Sequence, residues 1–264
     1  MKRIVSADNP RFRALLKLAE SSRERKKQGL SLLDGTHLVE AYRTHVGLPV
    51  GLVVSDSGAA NPEVLGLIES MKQLAPLQLS DSLFHQLSTV ATPTGVLAAV
   101  KTPRPPVVSG QLETCVMLED IQDPGNLGSL LRTAAAAGIT QVFLSKSSVQ
   151  AWSPRVLRAG MGAHFMVKIF EQCDLPALLR AFDGRIVATS HRSKQTVFES
   201  NIARKVALLF GNEGTGISRE LTAMAHDVVS IPMPGPAESL NVAAAAAVVL
   251  FERVRQLRAA TVRQ

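Results

Sequence analysis

The stretch CVMLEDIQDPGNLGSLLRTAAA, residues 115–136, sets out a complete strand–loop–helix unit. An apolar run ends at Glu119, which predicts a strand over 115–119. The Pro124-Gly125 pair then turns the chain, and Asn126 stands where a helix N-cap is expected. Over 127–137, Leu127, Leu130, Leu131 and Ala134 share one helical face at 100° per residue. Arg132 points away from that face, beside Gly128 and Ser129, whose small side chains leave the guanidinium uncovered. It reads as a surface arginine on a capped helix or as a group that something outside the helix approaches.

The same alternation runs through the rest of the C-terminal half. Strands are expected over 141–144, 167–170, 185–190, 206–210 and 228–231, with helices over 154–159, 175–181, 219–225 and 240–257. This predicts a mostly parallel sheet covered on both faces. Hydrophobic residues make up 46% of the chain and aromatics only 4%, so the core must be built from Leu, Val, Ile and Ala, which suits helices on such a sheet. Ligands of open α/β sheets bind beyond the carboxyl ends of the strands, so the loops that follow them are where chemistry is sought.

The first hundred residues form a smaller α/β unit. A helix is expected over 9–20, with Pro10 in its first turn and Phe12, Leu15, Leu16 and Ala19 on one face. Residues 21–28 are almost wholly polar. Strands follow at 30–33, 52–54, 77–79 and 96–100, and helices at 36–44, 62–72 and 80–87. The run TPRPPVVSG, residues 102–110, interrupts regular structure with three prolines. The division is therefore a domain over 1–102, a linker over 103–110 and a second domain over 111–264.

The net charge of +7 suits an anionic partner. Up to Arg43 there are 10 Lys/Arg against 5 Asp/Glu, so most of the excess lies at the N-terminus. Arg11, Arg23, Arg25, Lys26 and Lys27 form either a phosphate-binding set or a solvated helix face. Cys115 and Cys173 stand far apart and in no metal-ligand spacing, which points away from zinc and disulfides and toward a reducing cytoplasm. The longest apolar run, 242–251, is about half of a membrane span, so no membrane partner is expected.

Two further loops matter. LLFGNEGTGIS, residues 208–218, places three glycines after a buried strand, with Glu213 as its only carboxylate. Glycine there permits close approach of a ligand to the backbone. No Gly-Lys-Ser/Thr follows, which excludes a P-loop, and the glycine spacing is not that of a dinucleotide fingerprint. IPMPGPAESLNVA, residues 231–243, ends a strand in a proline-rich turn before a long alanine-rich helix. Ser239 is placed to cap that helix and Asn241 falls in its first turn, where backbone N–H groups are free. No histidine lies in any of the three loops.

These three segments, in this order, resemble the three motifs of the SpoU/TrmH family of RNA 2′-O-ribose methyltransferases. Asp8-Asn9-Pro10, the segment LDGTHLVE at 33–40, FHQLS at 84–88 and TPTG at 92–95 resemble the ribosomal-protein-like RNA-binding domain that often precedes the catalytic domain. Where that domain commonly has Glu-Gly, this chain has Asp34-Gly35. The resemblance implies a C-terminal sheet threaded into a deep trefoil knot and a homodimer joined through the knot and last helix. It implies S-adenosylmethionine as methyl donor, S-adenosylhomocysteine as product, and no metal. The donor would be held by Thr189, Ser190, Leu209, Phe210, Gly211, Asn212, Gly214, Ile231, Pro232, Met233, Ser239, Leu240, Asn241 and Ala243, with Leu209 and Met233 lining an apolar slot. Arg132 would contact the target ribose and phosphate, and Asn126, Glu213, Ser239 and Asn241 would orient it.

A ribose hydroxyl is a poor nucleophile until its proton leaves, so the protein must position it and provide for that proton. Arginine is a reluctant base, which favours a phosphate-clamping and electrostatic role for Arg132, with a phosphate oxygen taking part. Ser239 lacks the turn and histidine of a nucleophilic serine. Ribosomal RNA is the expected substrate, with transfer RNA as the alternative. A base methyltransferase of the same fold and a non-catalytic RNA-binding protein are the rival readings.

Overall fold

The computed structural model describes residues 2–105 and 112–261. The described residues up to Pro103, together with Trp152–Phe165, form one compact unit; Arg104–Ala151 and the residues from Met166 form the other.

In the first unit the order is β1 (Lys2–Ile4), α1 (Pro10–Glu20), α2 (Ser22–Gln28), β2 (Leu30–Asp34), α3 (Thr36–His45), β3 (Gly51–Ser55), α4 (Pro62–Glu69), β4 (Leu77–Leu79), α5 (Asp81–Leu87) and β5 (Val96–Lys101). The sheet runs β1-β4-β3-β5-β2, with β5 antiparallel to both neighbours and the other pairs parallel. Asn9 caps α1 through a side-chain bond from the Arg11 N–H, and Pro10 occupies the first turn. Phe12, Leu32, Leu79, Phe84 and Leu97 form the core between α1, α5 and the sheet. The polar segment after α1 is helical: Ser21 caps α2 and Gly29, at φ 63°, closes it in the left-handed conformation.

The second unit contains β6 (Cys115–Leu118), α6 (Pro124–Ala136), β7 (Gln141–Ser145), β8 (Lys168–Cys173), α8 (Leu175–Ala181), β9 (Arg185–Thr189), β10 (Val206–Phe210), α9 (Arg219–Met224), β11 (Asp227–Val229) and α10 (Val242–Thr261). Its sheet runs β11-β9-β10-β6-β7-β8, and every pairing is parallel. All residues of β6 and β10 are buried, as continuous apolar strands covered on both faces must be. Phe210 pairs with Leu118, Leu209 with Ala188, and Thr189 with Val229. The carboxyl ends of β6, β9, β10 and β11 are thereby brought level, and the loops that leave them emerge along one edge.

The expected second domain over 111–264 is interrupted. The helix α7 (Pro154–Gly160) belongs to the first unit, where Pro154, Val156 and Leu157 are buried and the helix packs on β2. Phe165 meets the Tyr42 ring edge-on at 5.3 Å. The chain therefore leaves the second unit after Ala151 and rejoins it at Met166. Residues 106–110 of the expected linker lie outside the described residues.

Candidate active site

Each of the three loops is held by its own hydrogen bonds before any partner is considered. In the first, Asp120 takes a left-handed φ of 54°, and its N–H donates to Ser145 Oγ at 2.8 Å. Asp123, not Asn126, caps α6, accepting from the Asn126 N–H at 2.7 Å. The helix begins earlier than the sequence reading placed it, because Pro124 and Gly125 take its first turn. Asn126 therefore sits inside the helix with its amide free to face outward.

In the second loop Asn212 and Gly216 exchange backbone bonds of 3.1 and 2.9 Å, while Asn212 Oδ1 accepts from the N–H groups of Gly214 and Thr215. The Asn212 amide also donates to the Asp120 carbonyl at 2.8 Å, joining the second loop to the first. A side chain at Gly211 would place Cβ 2.3 Å from the Gly216 carbonyl, so this glycine is required by the close return of the chain.

In the third loop Asn241 is the cap of α10, accepting at Oδ1 from the N–H groups of Ala243 (2.9 Å) and Ala244 (3.4 Å). The cap role expected of Ser239 falls to Asn241 because α10 starts at Val242, two residues later than the sequence reading.

These caps orient a polar chain. With Oδ1 of Asn241 facing the helix, its Nδ2 donates to Asn126 Oδ1 at 2.8 Å, and Asn126 Nδ2 donates to Glu213 Oε1 at 2.9 Å. Asn126, Glu213 and Asn241, from three loops distant in sequence, thus meet. Arg132 lies six residues along α6 from Asn126, about 9 Å of axial rise. It is exposed, with no hydrogen bond or ion pair among the described residues.

Beside this chain is a cavity of about 580 Å³. Thr189, Ser190, Gly211, Asn212, Gly214, Ile231, Met233, Ser239, Leu240 and Asn241, all expected donor contacts, line it. Four others do not. Leu209 and Phe210 are buried within the sheet, so Leu209 cannot line a slot; its carbonyl accepts from Thr189 Oγ1, and that of Phe210 from the Glu119 N–H. Pro232 is exposed outside the cavity, and Ala243 gives its N–H to Asn241, leaving Val242 on the wall.

The sequence reading missed His191 and Arg192, which line the cavity from the loop after β9. Their signal was position alone, directly after Thr189-Ser190 at a strand end. It also missed Glu238. At the opposite, amino ends of the strands, Arg185 and Asp227 tie β9 to β11, with a 2.7 Å bond from Nη2, and Ser200 gives Asp227 a further bond. The Arg185 guanidinium holds the Asp227 carboxyl below the usual carboxylate range.

Among the expected RNA contacts, Arg11, Arg23, Lys26 and Lys27 are exposed. Arg25 is not: it is buried, and its guanidinium donates to the carbonyls of Leu18 and Ala19 at the end of α1. Those orphan carbonyls need donors, and Arg25 satisfies them. Both cysteines are free, and burial pushes the Cys115 thiol up to about 12. Among the described residues no group of three metal-ligating side chains occurs and no helix is long and apolar enough to cross a membrane.

Residues 113–251 match the model of the SpoU rRNA Methylase family, and residues 9–98 that of an MRM3-like substrate binding domain. The 23S rRNA (guanosine(2553)-2'-O)-methyltransferase RlmP of Bacillus subtilis is 30% identical over 95% of this chain and 98% of its own. A crystal structure of an RNA 2'-O ribose methyltransferase superposes with a TM-score of 0.85 at 29% identity, covering 96% of this chain and 98% of the other. An AdoMet-bound rRNA methyltransferase from Sinorhizobium meliloti superposes with a TM-score of 0.79 at 27% identity, covering 97% and 98%.

Proposed function

The chain belongs to the SpoU rRNA Methylase family, and from that premise we propose that it transfers a methyl group from S-adenosylmethionine to a ribose 2′-hydroxyl of ribosomal RNA. The observation that carries this reading is the Asn241–Asn126–Glu213 chain standing beside a 580 Å³ cavity at the carboxyl ends of parallel strands. A cavity of that size falls within the roughly 300–1,000 Å³ of small-molecule sites. Its glycine-rich wall, apolar Ile231, Met233 and Leu240, and several polar side chains fit a molecule that is part nucleoside and part amino acid.

When bound, the sulfonium donor supplies an already activated methyl group. The protein's tasks are then to hold the ribose, accommodate its proton and keep water out. Asn126 and Asn241 have no freedom to turn, because the N-terminal N–H groups of α10 fix one end of the chain. They set the direction of the Glu213 carboxylate. Arg132, with no partner among the described residues, is the cation that seats the target phosphate and ribose and stabilises the charge that develops as the hydroxyl proton leaves, with a phosphate oxygen taking part. Ser239 lines the same space and completes the wall.

RNA as substrate and ribosomal RNA in particular are supported by the names of the relatives and by the substrate-binding match over 9–98. Exposed Arg11, Arg23 and Lys27 are available there to phosphates, and Lys26 is exposed beside them. A cytoplasmic location, a homodimer and the trefoil knot are part of the same proposal. Two unbridged cysteines support the first; the exposed alanine and phenylalanine positions of α10, such as Ala244 and Phe251, support the second; the family match over 113–251 supports the third.

The test is Arg132→Ala. It should fold and bind S-adenosylhomocysteine like the parent while losing nearly all methyl transfer to ribosomal RNA. Near-normal turnover would show that the guanidinium has no part in the reaction, and transfer to transfer RNA in preference to ribosomal RNA would replace the proposed substrate.

A further inference from the structure

Among the described residues lining the cavity, Arg192 carries the only Lys or Arg side chain. The carboxylate side chains on the same walls are Glu213 and Glu238. Glu213 is engaged by Asn126. Arg192 makes no ion pair: its Nε donates to His191 Nε2 at 3.4 Å, and its two terminal nitrogens have no partner among the described residues.

The loop that carries Arg192 is fixed along its length. The Ser190 N–H donates to the Val229 carbonyl at 2.9 Å, Ser193 Oγ to the Val228 carbonyl at 2.6 Å, and the Ser230 N–H to the Gln195 carbonyl at 2.8 Å. The Arg192 N–H itself donates to Ser190 Oγ at 3.3 Å. The guanidinium is thus presented from a rigid base rather than from a free loop.

A molecule of the class proposed for this cavity ends in an amino acid, whose α-carboxylate needs a cation or a cluster of N–H donors. Against Glu213 or Glu238 that carboxylate would be repelled, whereas the planar fork of an arginine matches it. We propose that Arg192, outside the three motifs, binds the α-carboxylate of the donor's methionyl end and so sets donor affinity in this chain. The assignment rests on the reading of the cavity as the donor site.

Titration calorimetry separates the two. S-adenosylhomocysteine has the amino-acid end; 5′-methylthioadenosine lacks it. Arg192→Ala should weaken S-adenosylhomocysteine about tenfold or more, as expected for loss of a charge-assisted pair, and leave 5′-methylthioadenosine unchanged. Arg192→Lys should lie between. Equal weakening of both ligands would overturn the assignment, since the residue would then only shape the pocket. Unchanged S-adenosylhomocysteine affinity would overturn it too, and a raised KM for RNA in that variant would turn the cation toward the RNA backbone. Wild-type protein that binds neither ligand at millimolar concentration would overturn the donor reading, and this assignment with it.

Discussion

Replacing Asn126 tests the polar chain in a way that separates shape from charge. Asn126→Ala removes two hydrogen bonds, one of 2.8 Å with the Asn241 amide and one of 2.9 Å with the Glu213 carboxylate. Glu213 and Asn241 are exposed and Asn126 is half-buried, so both bonds lie at the surface and the low end of each range applies: about 0.5 kcal/mol for the neutral bond and about 1.5 kcal/mol for the charged one. If the chain is needed only in the reacting geometry, the total of about 2 kcal/mol slows transfer roughly 30-fold. Asn126→Asp keeps the acceptor for Asn241 but sets a carboxylate oxygen against Glu213. Two like charges at that separation repel by about 1.4 kcal/mol even at the dielectric of water. Added to the lost bond, this gives about 3 kcal/mol, or a slowing on the order of a hundredfold. Neither variant should unfold, because Asp123 caps α6. Single-turnover transfer of a labelled methyl group to RNA, with donor binding measured separately, reads the order wild type, Ala, Asp. An aspartate variant as fast as the alanine one, or an alanine variant within twofold of wild type, would refute the role given to this chain.

Gly211→Ala should abolish binding of S-adenosylhomocysteine by calorimetry, because its Cβ would meet backbone of residues 216 and 217 at 2.3–2.4 Å; Gly214→Ala, whose nearest neighbour is a side-chain oxygen at 3.4 Å, should bind within a few-fold of wild type. Arg25→Ala should lower the thermal midpoint and leave RNA affinity little changed, since its guanidinium serves the end of α1, whereas Lys27→Ala should weaken RNA binding without affecting the midpoint. Asp227 has its folded-state pKa depressed by Arg185 and Ser200, so the stability it contributes is present above the ordinary carboxylate pKa and is lost as pH falls through the depressed value. Asp227→Asn should therefore be less stable than wild type in urea at neutral pH, and the difference should shrink as the pH is taken below the ordinary carboxylate range.

Much of the architecture was legible because its signals are local. Apolar runs such as 206–210 read as buried strands, and Asn9-Pro10 marks the start of α1 unambiguously. β1 escaped because three residues, Lys2–Ile4, carry no period. α2 escaped because it has no apolar face, although Ser21 and Gly29 were present as its caps. The excursion of Trp152–Phe165 could not be read, since an apolar helix looks the same whichever sheet it covers. At the site, the motifs identified the loops, but competition between neighbouring cap residues decided the details. Asp123 displaced Asn126, and Asn241 displaced Ser239; both outcomes place asparagine amides where they meet. The burial of Arg25 and the place of Arg192 at the cavity depend on tertiary neighbours that charge counts do not contain.

The most direct measurement uses S-adenosylmethionine with a deuterated methyl group and ribosomal RNA from cells lacking this protein. After incubation, mass spectrometry of the digested RNA locates the label. The expected result is a single nucleotide carrying the label on its ribose 2′-oxygen, absent when Arg132→Ala is used. Label on a base nitrogen or carbon, or equal labelling by the Arg132→Ala protein, would contradict the account.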